Sequence, residues 1–431
     1  MRLKILTLVV ILASANFSFA AFAPNGPGLT ALARRAVSAD AVESADAIAA
    51  LRARGPAGLQ AFLAAHDGGL KAGPASPQWQ QLTAALDTLC AQRDCYASRL
   101  YWHTDLEAAK AEARASGKPI LSLHLLGRLD EDLSCANSRL FRITLYANEQ
   151  VSQFLRERYV LHWKSVRPVP KVTIDFGDGR KLERTLTGNS IHYILDAEGR
   201  PLDALPGLYG PRAFLRALSQ AEAVATACAA LKDGERENYL RQYHAGRVRE
   251  MEAQMAANFA RVGIPLPAAT PAQPDARRAP AATEAARLAM TKMIMERPLL
   301  RGLAPNRGAL DPTAEEFAWQ RIGNFHLYDA ALDENTKLLM RNKNPEAFAQ
   351  PRALQRAVSL LERFIAADTA RNEYLLRLRL RRWFAEGQAG DVETLNERVY
   401  SELFLTPGSD PWLGLLPADV YTGIEREGVR K

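Results

Sequence analysis

The chain has 431 residues, 48% of them hydrophobic and 24% charged, which excludes a disordered or fibrous protein and leaves room for two or three domains. The formal net charge is +7, but Arg2 and Lys4 fall in a candidate leader, and the other arginines are scattered among carboxylates rather than gathered in a basic tract. That distribution argues against nucleic acid as a partner.

Residues 1–20 read as a signal peptide. Arg2 and Lys4 supply the positive start, Ile5 to Ala13 the apolar core, and Ser18-Phe19-Ala20 a small-x-small cleavage site before Ala21. The apolar core is too short to span a bilayer, although an uncleaved anchor is the alternative. No cysteine follows it as in a lipoprotein, and no later stretch has the length and apolarity of a transmembrane helix. The expectation is a bacterial protein in the periplasm or secreted, with no stable membrane span once the signal is removed.

Such a compartment is oxidising, which gives the four cysteines weight. Cys90 and Cys95 lie on different faces of a continuous helix, so they pair only if the helix stops between them, as Arg93-Asp94 permits. A structural disulfide is the preferred reading, and an exchangeable pair that relays electrons with Cys135 is the sharper one. Cys228 sits in an alanine-rich helical stretch, Ala223 to Leu231, and reads as a buried small hydrophobe.

In chain order, residues 21–97 read as a helical N-terminal domain, ending in the stripe Trp79, Leu82, Ala85 and Leu89. Residues 98–232 change style. Thr104 and Asp105 are candidate caps for a helix through Ala115, which Gly117 and Pro119 end. Ile120 to Leu126 is a short apolar strand that stops at Gly127. An acidic loop, Asp130 to Asp132, leads to Ser134 and Cys135 at a helix start. Helix covers Arg139 to Tyr159, with an interruption near Asn148, and Tyr159 to Val166 is a strand. Val172 to Phe176 and Lys181 to Leu186 form a hairpin about Gly177-Asp178-Gly179. Strands at Ile191 to Leu195 and Leu202 to Leu205 follow, then a helix opened by Pro211.

Residues 233–262 read as one long polar helix and 263–283 as an Ala/Pro-rich linker. Residues 284–431 read as a helical C-terminal domain. Its methionines Met290, Met293 and Met295 fill a core more readily than they bind a soft metal. Three amphipathic helices follow, at Leu354 to Ile365, Arg371 to Phe384 and Val392 to Leu403, and then a loop from Thr406 to Trp412. No phosphate loop, dinucleotide turn or Gly-x-Ser-x-Gly is present in the sequence.

The element order from about Trp102 to Ala221 resembles the thioredoxin fold. Trp102-His103-Thr104-Asp105, an Ala/Glu/Lys helix and Gly117-Lys118-Pro119-Ile120 are similar to bacterial thioredoxin-like proteins. A closer likeness is to the thioredoxin-like segment of selenoprotein N, carried by Gly127, Leu129, Asp130 and Glu131, then Ser134-Cys135, then Arg139 and Arg142, with Trp163 in the next strand. Ala136 stands where that pattern has selenocysteine, and Ser138 where a thioredoxin has its second cysteine. Gly188-Asn189-Ser190 stand where its cis-proline is expected, and the Gly177 hairpin replaces its third helix. The fold class so implied is α+β, with a central thioredoxin-like α/β domain flanked by N-terminal helices and a C-terminal helical bundle.

The resemblance implies a single-thiol redox role. Cys135 would be the nucleophile, held open to water at a helix start whose free N–H groups favour a thiolate, while Asp130, Glu131 and Asp132 oppose it. Ser138 would donate a hydrogen bond to the sulfur. Ser134, Ala136, Asn137, Arg139, Arg142, His124 and Asn189 would neighbour it, and Cys90 and Cys95 would resolve it or be structural. A Cys135–His124 pair would activate the thiol or hold a metal, but no Cys/His cluster has zinc spacing, so His103, His124, His162 and His192 read as satisfied histidines. No metal and no cofactor is expected. The expected partners are protein thiols or disulfides, glutathione, and proteins bound through the C-terminal helices. The competing reading is a non-catalytic thioredoxin-like scaffold that binds protein partners.

Overall fold

The computed structural model describes residues 27–185, 188–264 and 312–404, with 406, 423 and 425. The signal peptide, most of the Ala/Pro linker, the Met290–Met295 helix and the loop after Thr406 lie outside the described residues. Two compact units divide between His66 and Asp67.

The first unit holds three helices: α1 (Pro27–Arg35), α2 (Ala41–Arg52) and α3 (Pro56–Ala65). Asp40 caps α2 by accepting from the N–H groups of Val42 and Glu43, and Pro56 opens α3. Leu51, Leu59 and Phe62 are buried. The His66 Nε2 lies 2.8 Å from the carbonyl oxygen of Ala33, which closes the unit.

The second unit is mixed α and β around a small mixed sheet. It opens with α4 (Asp67–Ala72), α5 (Trp79–Cys90), α6 (Cys95–Ser98) and α7 (Leu106–Ser116), the last capped by Asp105. Then come β1 (Ile120–Leu126), α8 (Ala136–Leu140), a π-helical turn at Phe141–Leu145, and α9 (Glu149–Arg158), capped by Asn148. β2 (Val160–Arg167) returns parallel to β1. A separate hairpin, β3 (Lys171–Asp175) and β4 (Lys181–Thr185), precedes β5 (Ser190–Leu195), β6 (Pro201–Pro206), α10 (Pro211–Ala229) and α11 (Asp233–Arg261). The sheet order is β2-β1-β5-β6, with β5 antiparallel to both β1 and β6. β1 therefore lies inside the sheet and is buried along its whole length, which is why it reads as an almost unbroken apolar run.

Both faces of β1 are covered. Leu121, Leu123 and Leu125 alternate with Ser122 and His124, and the register places His162 and Tyr193 beside Ser122. The Tyr193 hydroxyl donates to Asn396 Oδ1 at 3.2 Å, so the helix Val392–Arg398 lies over the Ser122 face. On the Leu123 face, His192 pairs with the Tyr146 hydroxyl at 2.7 Å and packs on Phe141 and Phe214. Helices at Pro312–Gly323, Glu334–Lys343 and Pro351–Arg371 complete this unit. The last runs without a break through a π-helical stretch, Asn372–Arg377, into Leu378–Ala385. One hydrophobic core takes in Trp102, Tyr146, Tyr193, Phe214, Leu380, Trp383 and Leu403, so the helices from Glu334 onward and the sheet share it, while Trp319 and Ile322 of Pro312–Gly323 pack in a separate cluster with Phe259 and Tyr374. Among the described residues no helix is long and apolar enough to cross a membrane.

Candidate functional site

The turn from β1 into α8 is the part of the second unit that the sequence singles out. Gly127 ends β1 at φ 76°, where a side chain is strained. An added Cβ would also meet Val169 Cγ1 at 3.0 Å and the Ser134 backbone at 3.2 Å. The Cys135 N–H donates to the Leu126 carbonyl at 3.1 Å, which folds the acidic loop back onto the strand end. Cys135 is then the N-cap of α8, its Sγ accepting from the Ser138 N–H at 3.4 Å.

The sulfur sits where a helix-start cysteine was expected, but it is not open to water: Cys135 is fully buried within the core. Ser138 reaches it through its backbone only. Its hydroxyl lies 2.6 Å from Ser134 Oγ and 2.9 Å from the Cys135 carbonyl, turned away from the sulfur. Ser134, Asn137 and Ser138 are buried with it.

The C-terminal end of the described chain packs into the same core, through Tyr400, Leu403 and Phe404. The loop that carries Asn189 is clasped there: Tyr400 OH donates to the Asn189 carbonyl at 3.3 Å, and Asn189 Nδ2 donates to Thr406 Oγ1 at 3.1 Å. Thr406 in turn bonds Tyr400 through its N–H at 2.7 Å and accepts from Arg167 at 2.8 Å. Tyr400 is buried, and burial, with the Cys135 sulfur adding to it, pushes its phenol well above the ordinary value. Tyr400 and Thr406 are site residues that sequence reasoning missed, since nothing local to them marks a contact more than 200 residues back.

The other thiols lie elsewhere. Cys90 and Cys95 are joined to each other: α5 ends at Cys90, Ala91 and Asp94 take left-handed conformations, and α6 begins at Cys95. The free cysteines among the described residues are Cys135 and Cys228, both buried, and burial raises the Cys228 thiol above its usual value. His124 does not meet Cys135. Its Nε2 lies 3.1 Å from Ser122 Oγ, which is itself 2.8 Å from His162 Nδ1. Burial pushes His124, His162 and His192 down to about 3. His103 pairs with Glu112 at 2.7 Å. No group of three His, Cys, Asp or Glu among the described residues is placed to hold a metal.

Arg139 and Arg142 share a helix face as their spacing implies, and they line a surface cavity of about 420 Å³ beside Ala136. Asp132 of the acidic loop lines it, as a pair of arginines set to offset that loop implies, and so do Asp94 and Lys343, neither legible from sequence as a neighbour of the arginine pair. Lys343 reaches both Asp94 oxygens, at 2.7 and 2.8 Å, across 249 residues of chain. Compared with known proteins, the chain matches no family model, no curated protein and no solved structure.

Proposed function

We propose that this chain is an exported, non-catalytic binding scaffold built on a thioredoxin-like core, with Cys135 serving as a structural helix cap. The observation that carries this reading is the fate of the sulfur. It is sealed in the core, it accepts one backbone N–H, and neither Cys90 nor Cys95 is free to resolve it. A thiol acts as a nucleophile through an accessible thiolate, so a sealed sulfur favours packing over exchange. The thioredoxin-like part of the reading is supported by the sequence β1, Cys135 turn, α8, β2, then β5, β6 and α10, with β1 and β2 parallel and β5 and β6 antiparallel. Export to the periplasm is supported by the leader pattern of residues 1–20 and by the joined Cys90–Cys95 pair.

Alkylation of the native full-length chain by iodoacetamide, followed by mass mapping, tests it. Cys135 should label at least about a hundredfold more slowly in the native protein than in urea, because access then requires opening of the core. Native labelling at the rate of an ordinary thiol, or a glutathione mixed disulfide recovered on Cys135, would restore the single-thiol redox role.

A further inference from the structure

We infer that the cavity beside the Cys135 turn binds a carboxylate attached to a short apolar body. This deepens the scaffold reading by naming the chemistry of one of its binding surfaces. Arg142, whose side chain is 3% exposed, lines the cavity. Its Nη2 donates to the Asp132 carbonyl at 3.3 Å, and its Nη1 stands 3.9 Å from Asp94, beyond hydrogen-bonding distance. Nε and Nη1 have no hydrogen-bond partner among the described residues. A buried guanidinium with two unused donors costs stability that an anion would recover. Arg139 repeats the pattern: Nη2 donates to Thr185 Oγ1 at 3.0 Å, and Nε has no partner.

Asp94 stands within ion-pairing distance of Arg142, but neither carboxylate at the cavity accepts a side-chain hydrogen bond from these arginines. Asp94 is held by Lys343, and Asp132 is held by Arg93 at 3.0 Å. With Asp94 held by Lys343 and Asp132 by Arg93, the charges of Arg139 and Arg142 are in excess at the lining, which favours an anion. A carboxylate suits the site better than phosphate, whose second charge meets both aspartates. Leu140 and Ile143 supply an apolar wall, and the cavity has the volume of a small-ligand site. Arginine donors set against an apolar wall select a carboxylate that carries an aliphatic group.

Calorimetry on the full-length chain tests this with two probes of the same chemistry, 4-methylpentanoate and acetyl-Gly-Leu with a free terminus. Their amides and inorganic phosphate are the controls. Both acids should bind, and each amide should bind at least about tenfold more weakly, as loss of a charge-assisted hydrogen bond predicts. Tighter binding of the peptide identifies a chain terminus as the source of the carboxylate, and tighter binding of the free acid identifies a small aliphatic acid. Arg142→Gln should abolish binding. Because Arg142 is buried and its loss can unfold the chain, the more exposed Arg139→Gln decides independently, with an expected loss of about tenfold. Amides that bind as well as acids, phosphate that binds more tightly than either acid, no binding at millimolar acid, or an unchanged Arg139→Gln would each overturn the inference. Those failures leave the scaffold reading standing, since that reading is decided by Cys135 labelling.

Discussion

Asp203 ties the sheet to the C-terminal helices through a buried ion group. It lies on β6, 1% exposed, and its Oδ2 accepts from Arg377 and Arg381 at 2.9 Å each, while Oδ1 accepts the Ala204 N–H at 2.8 Å. Burial alone would raise its carboxyl, but the two guanidiniums outweigh that and hold it well below the usual carboxylate range. His244 completes the group. Its Nε2 donates to the Leu202 carbonyl at 2.9 Å, which leaves Nδ1 to accept from Arg381 at 3.2 Å, so the ring is neutral. Burial agrees with that state, pushing the imidazole down to about 4. Asp203→Asn would leave the buried Arg381 without a counter-charge and Arg377 with Glu373 alone, at 3.2 Å, and the expected cost is about 3–5 kcal/mol in urea denaturation. A triple variant with Asp203→Leu, Arg377→Met and Arg381→Met should recover most of that loss, because a buried ion group is worth little against well-packed apolar side chains. Recovery of nothing would mean that the charges also determine how the helices seat.

At the scale of elements, the turn after β1 and the corner at Cys90 each make a prediction. Gly127→Ala puts a side chain at φ 76° and against the Ser134 backbone, so it should lower stability by about 1–3 kcal/mol, read from the denaturation midpoint. The Cys90–Cys95 bridge closes a loop of sequence separation 5, and chain entropy at that length gives about 2 kcal/mol. Reduction should therefore weaken the protein without unfolding it. Tryptophan fluorescence is a direct probe, since the Trp163 indole donates to the Ala91 carbonyl at 2.8 Å and the Trp102 indole to Gln92 at 2.7 Å. These local devices were legible in the sequence: the apolar run Ile120–Leu126, the Asp105 cap, the break at Asn148 and the Gly177 hairpin all lie where residue chemistry and periodicity put them. Arg371 to Phe384, read as a helix of its own, instead continues Pro351–Arg371 through a π-helical stretch. A π turn shifts the phase of the side chains, and a search for a 3.6-residue period takes that shift for a boundary. The pairs Asn189–Thr406, Asp203–Arg381 and Asp94–Lys343 were not legible, since periodicity tells which face of an element is buried and not what meets it. Cys135 likewise lies in a core that distant segments share, and so the open sulfur that the local motif implied was not found.

Over the whole molecule the buried histidines set the response to acid. His124, His162 and His192 are pushed down to about 3 by burial, and His244 to about 4, whereas an unfolded histidine titrates near 6.5. As pH falls below 6.5 the unfolded chain binds protons that the folded chain refuses, and stability drops with pH. Asp87 works the other way. Burial lifts its carboxyl to about 6, against the pull of the Cys95 N–H and Arg93, so between pH 6 and the unfolded value of 3.8 the folded state holds a proton that the unfolded state releases. Four histidines less one aspartate leave about three protons in favour of the unfolded chain, a slope of about 4 kcal/mol per pH unit near pH 5 if each group titrates fully. Asp203 and Asp329, both held low in the folded state, add to the loss only below about pH 4. The urea midpoint should thus be nearly level from pH 7.5 to 9 and fall steeply from pH 6.5 towards 5. Removing one buried histidine, as in His162→Gln, should make that fall shallower by roughly one proton while lowering the plateau, because Ser122 keeps His124 but loses its shorter hydrogen bond. A midpoint unchanged between pH 7 and 5 would mean that these rings are already protonated, or reach water, in the folded protein.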